Sequence, residues 1–130
     1  MVKVFVYGTL MSGHINHSYY LSKSKFLGDA ELADYAMYSV SSFPGIVSET
    51  SEKVKGEVYS VDEDTLRKLD SLEGEGILYI RKMVDIQVNN ETIQGFVYIW
   101  NRSTSDVQKI SYASQPWKGS SIEICLCRNI

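Results

Sequence analysis

One glutamate lies where a carboxylate is unexpected. The segment 62–73 predicts a helix, because Asp62 is a favourable N-cap, acidic residues occupy the first turn and Gly74 suits the C-terminal end. At about 100° per residue, Glu73 falls between Leu66 and Leu69 on the apolar face of this helix. The pattern therefore directs one carboxylate towards the core.

A carboxylate on that face is suited to proton transfer. Removal from water and the negative end of the helix dipole both disfavour the ionised form, so we expect the pKa of Glu73 to rise towards neutral pH. A group with such a pKa can act as a general base and then as a general acid. The alternative is a frayed last turn in which Glu73 reaches solvent.

The loop after the first strand is a second candidate. Alternating β-branched and aromatic residues over 2–7 predict a strand that stops at Gly8. In the segment Tyr7-Gly8-Thr9-Leu10, successive backbone N–H groups would lack a neighbouring strand, and such donors can hold an anion or a developing oxyanion. The alternative is an ordinary turn that follows a strand.

The other polar candidates are weaker. Glu73 and Glu75 are too close in sequence to flank a sugar bond as a glycosidase pair. His14 and His17 have helical spacing, but no third ligand is identified, so we expect no metal site. Arg81 could bind a substrate carboxylate or form an ion pair with an acidic neighbour.

The elements that would position these residues are mostly strands. Besides the first strand and the helix ending at Glu73, the patterns predict a short helix over about 16–22 and strands over 26–40, near Ile46, and over 54–60, 77–88 and 91–100. Gly28 is expected to mark a bulge, and 41–45 to form a turn. About half of the chain is thus expected to be strand.

The last two predicted strands form a hairpin. Asn89-Asn90 is a two-residue loop compatible with a type I′ turn, which places Arg81 opposite Tyr98 and Tyr79 opposite Trp100. One face is aliphatic, and the other carries aromatic rings with polar tips. Such a face can line a polar pocket; alternatively, it packs under a helix with its hydroxyl groups in water. The polar-tipped face contains Tyr79, Arg81, Met83, Phe96, Tyr98 and Trp100.

The composition excludes several classes of protein. With 130 residues, 44% hydrophobic and 22% charged, the chain is typical of one globular domain. A net charge of −3 supplies no basic surface, so nucleic acid is not expected as a partner. No secretory leader or membrane-spanning run is evident. Cys125 and Cys127 are interpreted as reduced thiols of a cytoplasmic protein.

Six short segments in order make a more specific pattern. They are Val4-Phe5-Val6-Tyr7-Gly8-Thr9-Leu10, Phe26-Leu27-Gly28, Phe43-Pro44-Gly45, Gly56-Glu57-Val58-Tyr59, Leu69-Asp70-Ser71-Leu72-Glu73-Gly74 and Tyr79-Ile80-Arg81. The series resembles the γ-glutamylcyclotransferase-like family. The resemblance implies an α+β fold, a compact mixed β-barrel with flanking helices and a small pocket at one side. The domain would cover 1–117, followed by a tail of unknown role over 118–130.

The resemblance also implies a reaction of the lyase or acyltransferase type. Members cleave a γ-glutamyl amide by attack of the substrate's own α-amino group on its γ-carbonyl, which yields 5-oxoproline and a free amine without a cofactor. Glu73 matches the family's catalytic glutamate. The family's substrate-binding positions match Tyr7, Gly8, Thr9, Leu10, Tyr79 and Tyr98.

The branch of the family is indicated by Leu-Asp-x-x-Glu followed closely by Tyr-x-Arg. This pattern is most similar to γ-glutamylamine cyclotransferases, which release an amine such as lysine from an isopeptide. Two alternatives stay open: a non-catalytic module that binds a γ-glutamyl or other small carboxylated metabolite in the same pocket, and a domain that docks a partner through its C-terminal tail or exposed aromatic residues. The sequence leaves the oligomeric state and the physiological amine open.

Overall fold

The computed structural model describes residues 1–119. Cys125, Cys127 and most of the predicted tail lie outside the described residues. Within 1–119, no helix is long and apolar enough to cross a membrane.

The described chain is dominated by strands. Its helices are α1 (His17–Tyr20), α2 (Glu63–Glu73) and a 3-10 turn (Tyr112–Ser114). Its strands are β1 (Val2–Val6), β2 (Lys25–Ser39), β3 (Pro44–Val61), β4 (Tyr79–Val88), β5 (Glu91–Trp100) and β6 (Gln108–Ile110).

Five of the strands form a closed ring. The sheet order is β3-β1-β5-β4-β2-β6, and β3 also pairs with β2, so that β6 is the strand added outside the ring. The pairing of β1 with β5 is parallel, with Val4 opposite Phe96, and the other pairings are antiparallel. The α+β fold class with a mixed sheet and flanking helices is therefore confirmed.

The strand pattern in the sequence did not predict the full length of β3. Two separate strands were predicted near Ile46 and over 54–60, but β3 is one strand of 18 residues. Its polar middle lacks a hydrophobic alternation, and β3 pairs with β2 on both sides of it, while residues 49–52 have no partner in the register between the pairs Ala33/Lys53 and Tyr35/Ser48. The pairing absorbs an irregularity at Asp34, whose φ is 65° and whose carboxylate accepts a hydrogen bond from Ser51 N–H at 3.0 Å. The short strand β6 was also not predicted.

The predicted bulge and hairpin are confirmed. The register of β2 shifts between Phe26 and Gly28, where the φ of Gly28 is 149°. Asn89 and Asn90 have φ values of 51° and 64°, as a type I′ turn requires. The resulting register places Arg81 opposite Tyr98.

Helix α2 begins and ends at the predicted residues. The Asp62 side chain accepts a hydrogen bond from Thr65 N–H at 2.7 Å, and Gly74 closes the helix in the left-handed conformation with a φ of 61°. Leu66 and Leu69 are buried in the core. Because the last turn is capped, the alternative of a frayed end around Glu73 is wrong.

Strand β4 begins at Tyr79, two residues later than predicted. The preceding Ile77 and Leu78 lie in a turn, and their N–H groups donate to Gly74 O at 3.0 and 2.9 Å. The bulky apolar side chains of this pair suggested a strand, but the end of α2 supplies their hydrogen-bond acceptor.

The closest backbone contact at a glycine of the ring lies between β1 and β3. A Cβ atom added at Gly56 would lie 2.3 Å from the backbone oxygen of Val6 and 2.6 Å from the Phe5 ring. Both neighbours belong to the buried core, so they cannot move aside easily. Glycine is required here for space.

We therefore expect Gly56→Ala to lower the free energy of unfolding by about 1–3 kcal/mol, as for other overpacked cores. Urea denaturation measures this change. Ser48→Ala, an exposed position on the same strand, is the matched control and should stay within about 0.5 kcal/mol of the original protein. Equal stability of the two variants would contradict the steric argument.

Candidate active site

A cavity of about 330 Å³ lies where β1, α2 and the β4–β5 hairpin meet. This volume is at the lower end of the range of about 300–1,000 Å³ that is usual for small-molecule sites. The structure brings all seven predicted site residues to this cavity. They are Tyr7, Gly8, Thr9, Leu10, Glu73, Tyr79 and Tyr98.

Glu73 reaches the cavity from the last turn of α2. Its side chain remains partly exposed because it faces the open space of the cavity, but surrounding protein atoms remove most of the water. This burial raises the pKa of Glu73 from an ordinary value of 4.5 to about 7. The carboxyl group is therefore present in both protonation states near neutral pH.

The loop after β1 forms a wall of hydrogen-bond donors. The carbonyl oxygens of Gly8 and Thr9 accept hydrogen bonds from Met11 N–H at 3.1 Å and Asn16 N–H at 2.9 Å. In the hydrogen bonding of residues 1–119, the N–H groups of Gly8, Thr9 and Leu10 have no protein acceptor. Successive unbonded N–H groups can hold an anionic oxygen.

Asn16 was missed by the sequence analysis. It occupies the N-cap position of α1 but makes no side-chain cap. Instead, Asn16 Nδ2 donates to Thr9 Oγ1 at 2.9 Å. Together with the backbone bond between the same two residues, this contact fixes the loop. The signal in the sequence was an asparagine before a short helix, which does not reveal that its partner lies in the preceding loop.

Two further tyrosines of the cavity lining donate their hydroxyl protons to other protein groups. Tyr79 Oη donates to Pro44 O at 2.8 Å, and Tyr98 Oη donates to Asp70 Oδ1 at 2.7 Å. Burial is the main cause that raises the pKa of both phenols, and the charge of Glu73 raises each further. Both hydroxyl groups are bound to protein groups, so the alternative in which they point into water is wrong.

Tyr7 has a different position from the other two tyrosines. Its side chain is buried, and its hydroxyl donates to the backbone oxygen of Tyr98 at 2.6 Å. Burial raises the pKa of Tyr7 well above its ordinary range. The phenol thus ties the end of β1 to β5, while its backbone leads into the donor loop.

Arg81 forms an ion pair with an acidic neighbour, which was one of the two roles considered for it, the other being the binding of a substrate carboxylate. Arg81 Nη1 lies 2.7 Å from Asp70 Oδ2, and neither residue is part of the cavity lining. The backbone N–H of Arg81 donates to Glu75 Oε2 at 3.2 Å. The sequence analysis did not identify the role of Asp70, although its position one turn before Glu73 was visible.

The two histidines have structural contacts. His17 Nδ1 lies 3.0 Å from Leu10 O, and the His14 ring stacks on Trp117 with 5.1 Å between ring centroids. Among residues 1–119, no group of three or more His, Cys, Asp or Glu side chains could hold a metal ion. The histidines instead fix the donor loop and the last described segment.

The rest of the lining is largely apolar. Leu72, Phe43 and Pro44 line the cavity, and Ile15 and Leu78 mark its rim, because they are 44% and 38% exposed. A ligand in this cavity would thus meet the hydrocarbon side chains of Ile15 and Leu78 at the exit, where Ser42 is an exposed polar residue of the lining.

Comparison with known proteins gives consistent matches. Residues 4–119 match the family described as "Gamma-glutamyl cyclotransferase, AIG2-like". A Methanocaldococcus jannaschii protein, provisionally named a gamma-glutamylcyclotransferase, is 42% identical over 106 residues, which cover 79% of this chain and 88% of that protein. The gamma-L-glutamyl-butirosin B gamma-glutamyl cyclotransferase of Niallia circulans is 34% identical over 108 residues, covering 78% and 69% of the two chains. The crystal structure of an AIG2-like protein from Mus musculus superimposes with a TM-score of 0.69 at 30% identity, covering 76% of each chain.

The raised pKa of Glu73 predicts a pH dependence of stability. The folded protein keeps a proton on Glu73 at pH values where the unfolded chain has lost it, so the free energy of unfolding falls as pH rises from about 4.5 to about 7. Between pH 5 and pH 8 this loss should be on the order of 2 kcal/mol. Urea denaturation of the original protein and of Glu73→Gln at both pH values measures it. A loss of the same size in Glu73→Gln would show that other groups cause it.

Proposed function

Because this chain belongs to the gamma-glutamyl cyclotransferase, AIG2-like family, we propose that it cleaves γ-glutamyl amides to 5-oxoproline and a free amine. The observation that carries this proposal is the placement of Glu73, with a pKa of about 7, in one cavity with unbonded backbone N–H groups. The reaction needs one group that moves a proton twice and donors that stabilise an oxyanion.

The polarity of the cavity supports a glutamyl group as the part of the substrate that is held. That group carries a negative α-carboxylate, a positive α-ammonium and a carbonyl oxygen that becomes negative during the reaction. The N–H groups of Gly8, Thr9 and Leu10 supply donors for the oxygens. Glu73 and the oxygens of the two cavity tyrosines supply acceptors for the ammonium group.

In the proposed mechanism, Glu73 acts first as a base and then as an acid. Its carboxylate accepts a proton from the α-ammonium group, and the resulting amine attacks the γ-carbonyl carbon to close a five-membered ring. The carbonyl oxygen takes the negative charge and is stabilised by the loop N–H groups. Glu73 then returns the proton to the amide nitrogen, and the C–N bond breaks as the carbonyl re-forms. The ring nitrogen still carries its second ammonium proton, which it loses to the Glu73 carboxylate, and Glu73 passes this proton to the released amine, which leaves as an ammonium ion. The atoms and protons balance without water.

Ring closure within one molecule makes few demands on the protein. The nucleophile and the carbonyl are already joined, and well-oriented intramolecular reactions reach effective molarities of about 10⁵ M or more. The cavity therefore has to orient the glutamyl chain, exclude water and supply the proton transfer.

The apolar exit supports a substrate whose amine begins with a hydrocarbon chain. An isopeptide such as γ-glutamyl-ε-lysine places methylene groups next to the amide, where Leu78 and Ile15 would contact them. The Niallia circulans relative is named for γ-L-glutamyl-butirosin B, so its name points to a different amine. We propose γ-glutamyl amides of aliphatic amines as the substrate class.

The direct test is incubation with γ-glutamyl-ε-lysine, γ-glutamyl-butylamide and γ-glutamyl-glycine, followed by detection of 5-oxoproline. We expect product from the two aliphatic amides, with kcat/KM rising with pH as Glu73 ionises around pH 7. Binding of these compounds without 5-oxoproline from any of them would contradict the enzyme and favour the non-catalytic binding module.

The role of Glu73 has its own test. Glu73→Gln keeps the shape of the side chain but cannot transfer the proton, so kcat should fall by about 10²-fold or more while KM changes little. Glu75→Gln is the matched control, because Glu75 is an exposed carboxylate two residues away that does not line the cavity. Normal turnover in Glu73→Gln would assign the proton transfer to another group.

A further inference from the structure

Asp70 joins two elements of the site without facing the cavity. It lies one helical turn before Glu73 on α2. One of its oxygens accepts the proton of Tyr98 Oη at 2.7 Å, and the other lies 2.7 Å from Arg81 Nη1. Arg81 and Tyr98 are direct cross-strand neighbours in the β4–β5 hairpin. The three side chains thus form one chain of hydrogen bonds beside the cavity.

The direction of these hydrogen bonds follows from which groups can donate and which can accept. A guanidinium group can only donate, so Arg81 requires an acceptor on the Asp70 oxygen that it contacts. The ion-paired carboxylate accepts on its other oxygen as well. A tyrosine has a single hydroxyl proton, and Tyr98 gives its proton to Asp70. What remains on Tyr98 Oη is its lone pairs, which can accept a hydrogen bond from a ligand.

We infer that Asp70, held by Arg81, is a positioning residue that sets Tyr98 as a hydrogen-bond acceptor for the α-ammonium group of the substrate. The inference rests on the proposed function for the identity of that ligand group. The same polarity occurs at Tyr79, whose proton is taken by the backbone oxygen of Pro44. The cavity is thus lined by Glu73 and by two tyrosines whose hydroxyl protons are bound to protein groups.

The ion pair between Asp70 and Arg81 is partly exposed, and the reaction itself does not use it. A structural role, in which the salt bridge and the bond from Tyr98 hold α2 against the β4–β5 hairpin, would also account for these contacts. The two roles differ in what they predict for ligands. A structural role affects all ligands alike, whereas an orienting role affects ligands that carry the α-amino group.

The isosteric substitution Asp70→Asn separates the two roles. Arg81 can only donate, so it must contact the amide oxygen of the asparagine, and the amide NH₂ group then faces Tyr98 Oη. Tyr98 becomes the acceptor within the protein and its proton is free to point into the cavity. The variant thus keeps the shape of the side chain but reverses the polarity that Tyr98 offers to a ligand.

The measurement is the binding of L-glutamine and of 4-carbamoylbutanoate, which is the same molecule without the α-amino group, by calorimetry. We expect the original protein to prefer L-glutamine, and Asp70→Asn to lose about tenfold or more in affinity for L-glutamine while its affinity for 4-carbamoylbutanoate stays within about twofold. In a Tyr98→Phe background, Asp70→Asn should change neither affinity further, because the group through which it acts is absent.

Asp64→Asn is the matched control, since Asp64 is an exposed carboxylate on the same helix that pairs with Arg67 and Lys68. It should leave both affinities unchanged, and circular dichroism and thermal unfolding should show that every variant is folded. Equal weakening of both ligands by Asp70→Asn, or an undiminished effect of Asp70→Asn in the Tyr98→Phe background, would overturn the inference.

The outcomes also distinguish this inference from the proposed function. A protein that prefers L-glutamine, and loses that preference in Asp70→Asn, but never yields 5-oxoproline would overturn the function and leave the orienting role of Asp70 intact. A protein that yields 5-oxoproline but shows no preference for L-glutamine over 4-carbamoylbutanoate would overturn the orienting role and leave the function intact.

Discussion

Burial of the Glu73 carboxyl group is the constraint on which the properties of the cavity depend. A carboxylate loses hydration free energy when protein atoms replace water, so the Glu73 carboxyl group keeps its proton up to about pH 7. Two features keep the group in place: the cap formed by Gly74 and the apolar contacts of Leu66 and Leu69. If the last turn frayed, the carboxyl group would regain its water and its ordinary pKa.

The second constraint is the direction of the hydrogen bonds around that carboxyl group. The hydroxyl groups of Tyr79 and Tyr98 each donate to a partner that can only accept a hydrogen bond. The partner is a backbone carbonyl for Tyr79 and an ion-paired carboxylate for Tyr98. The carbonyl oxygens of Gly8 and Thr9 are likewise occupied by protein donors, and within residues 1–119 the N–H groups of the same two residues have no protein acceptor. The lining therefore includes both hydrogen-bond donors and acceptors, which the proposed glutamyl group would need.

These constraints are met by a chain of 130 residues because the closed ring places distant segments side by side. The parallel contact between β1 and β5 sets the donor loop next to the tyrosine-bearing hairpin. Gly56 allows β3 to approach β1 closely at the same end of the strand. The proposed reaction, in which the substrate supplies its own nucleophile, needs little beyond such an arrangement.

The sequence alone determined the features that depend on neighbouring residues: the limits of α2, the Asn89-Asn90 turn with its register, and the orientation of Glu73 towards the core. Local chemistry is sufficient there, because caps, turns and side-chain periodicity act over a few residues. Only the tertiary structure decided the continuity of β3, the contact of Asn16 with Thr9 and the partners of the two cavity tyrosines. Asp70 and Tyr98 are 28 residues apart, and Pro44 and Tyr79 are 35 apart. Hydrogen bonds between such positions arise from the closure of the ring, and no local pattern in the chain encodes them.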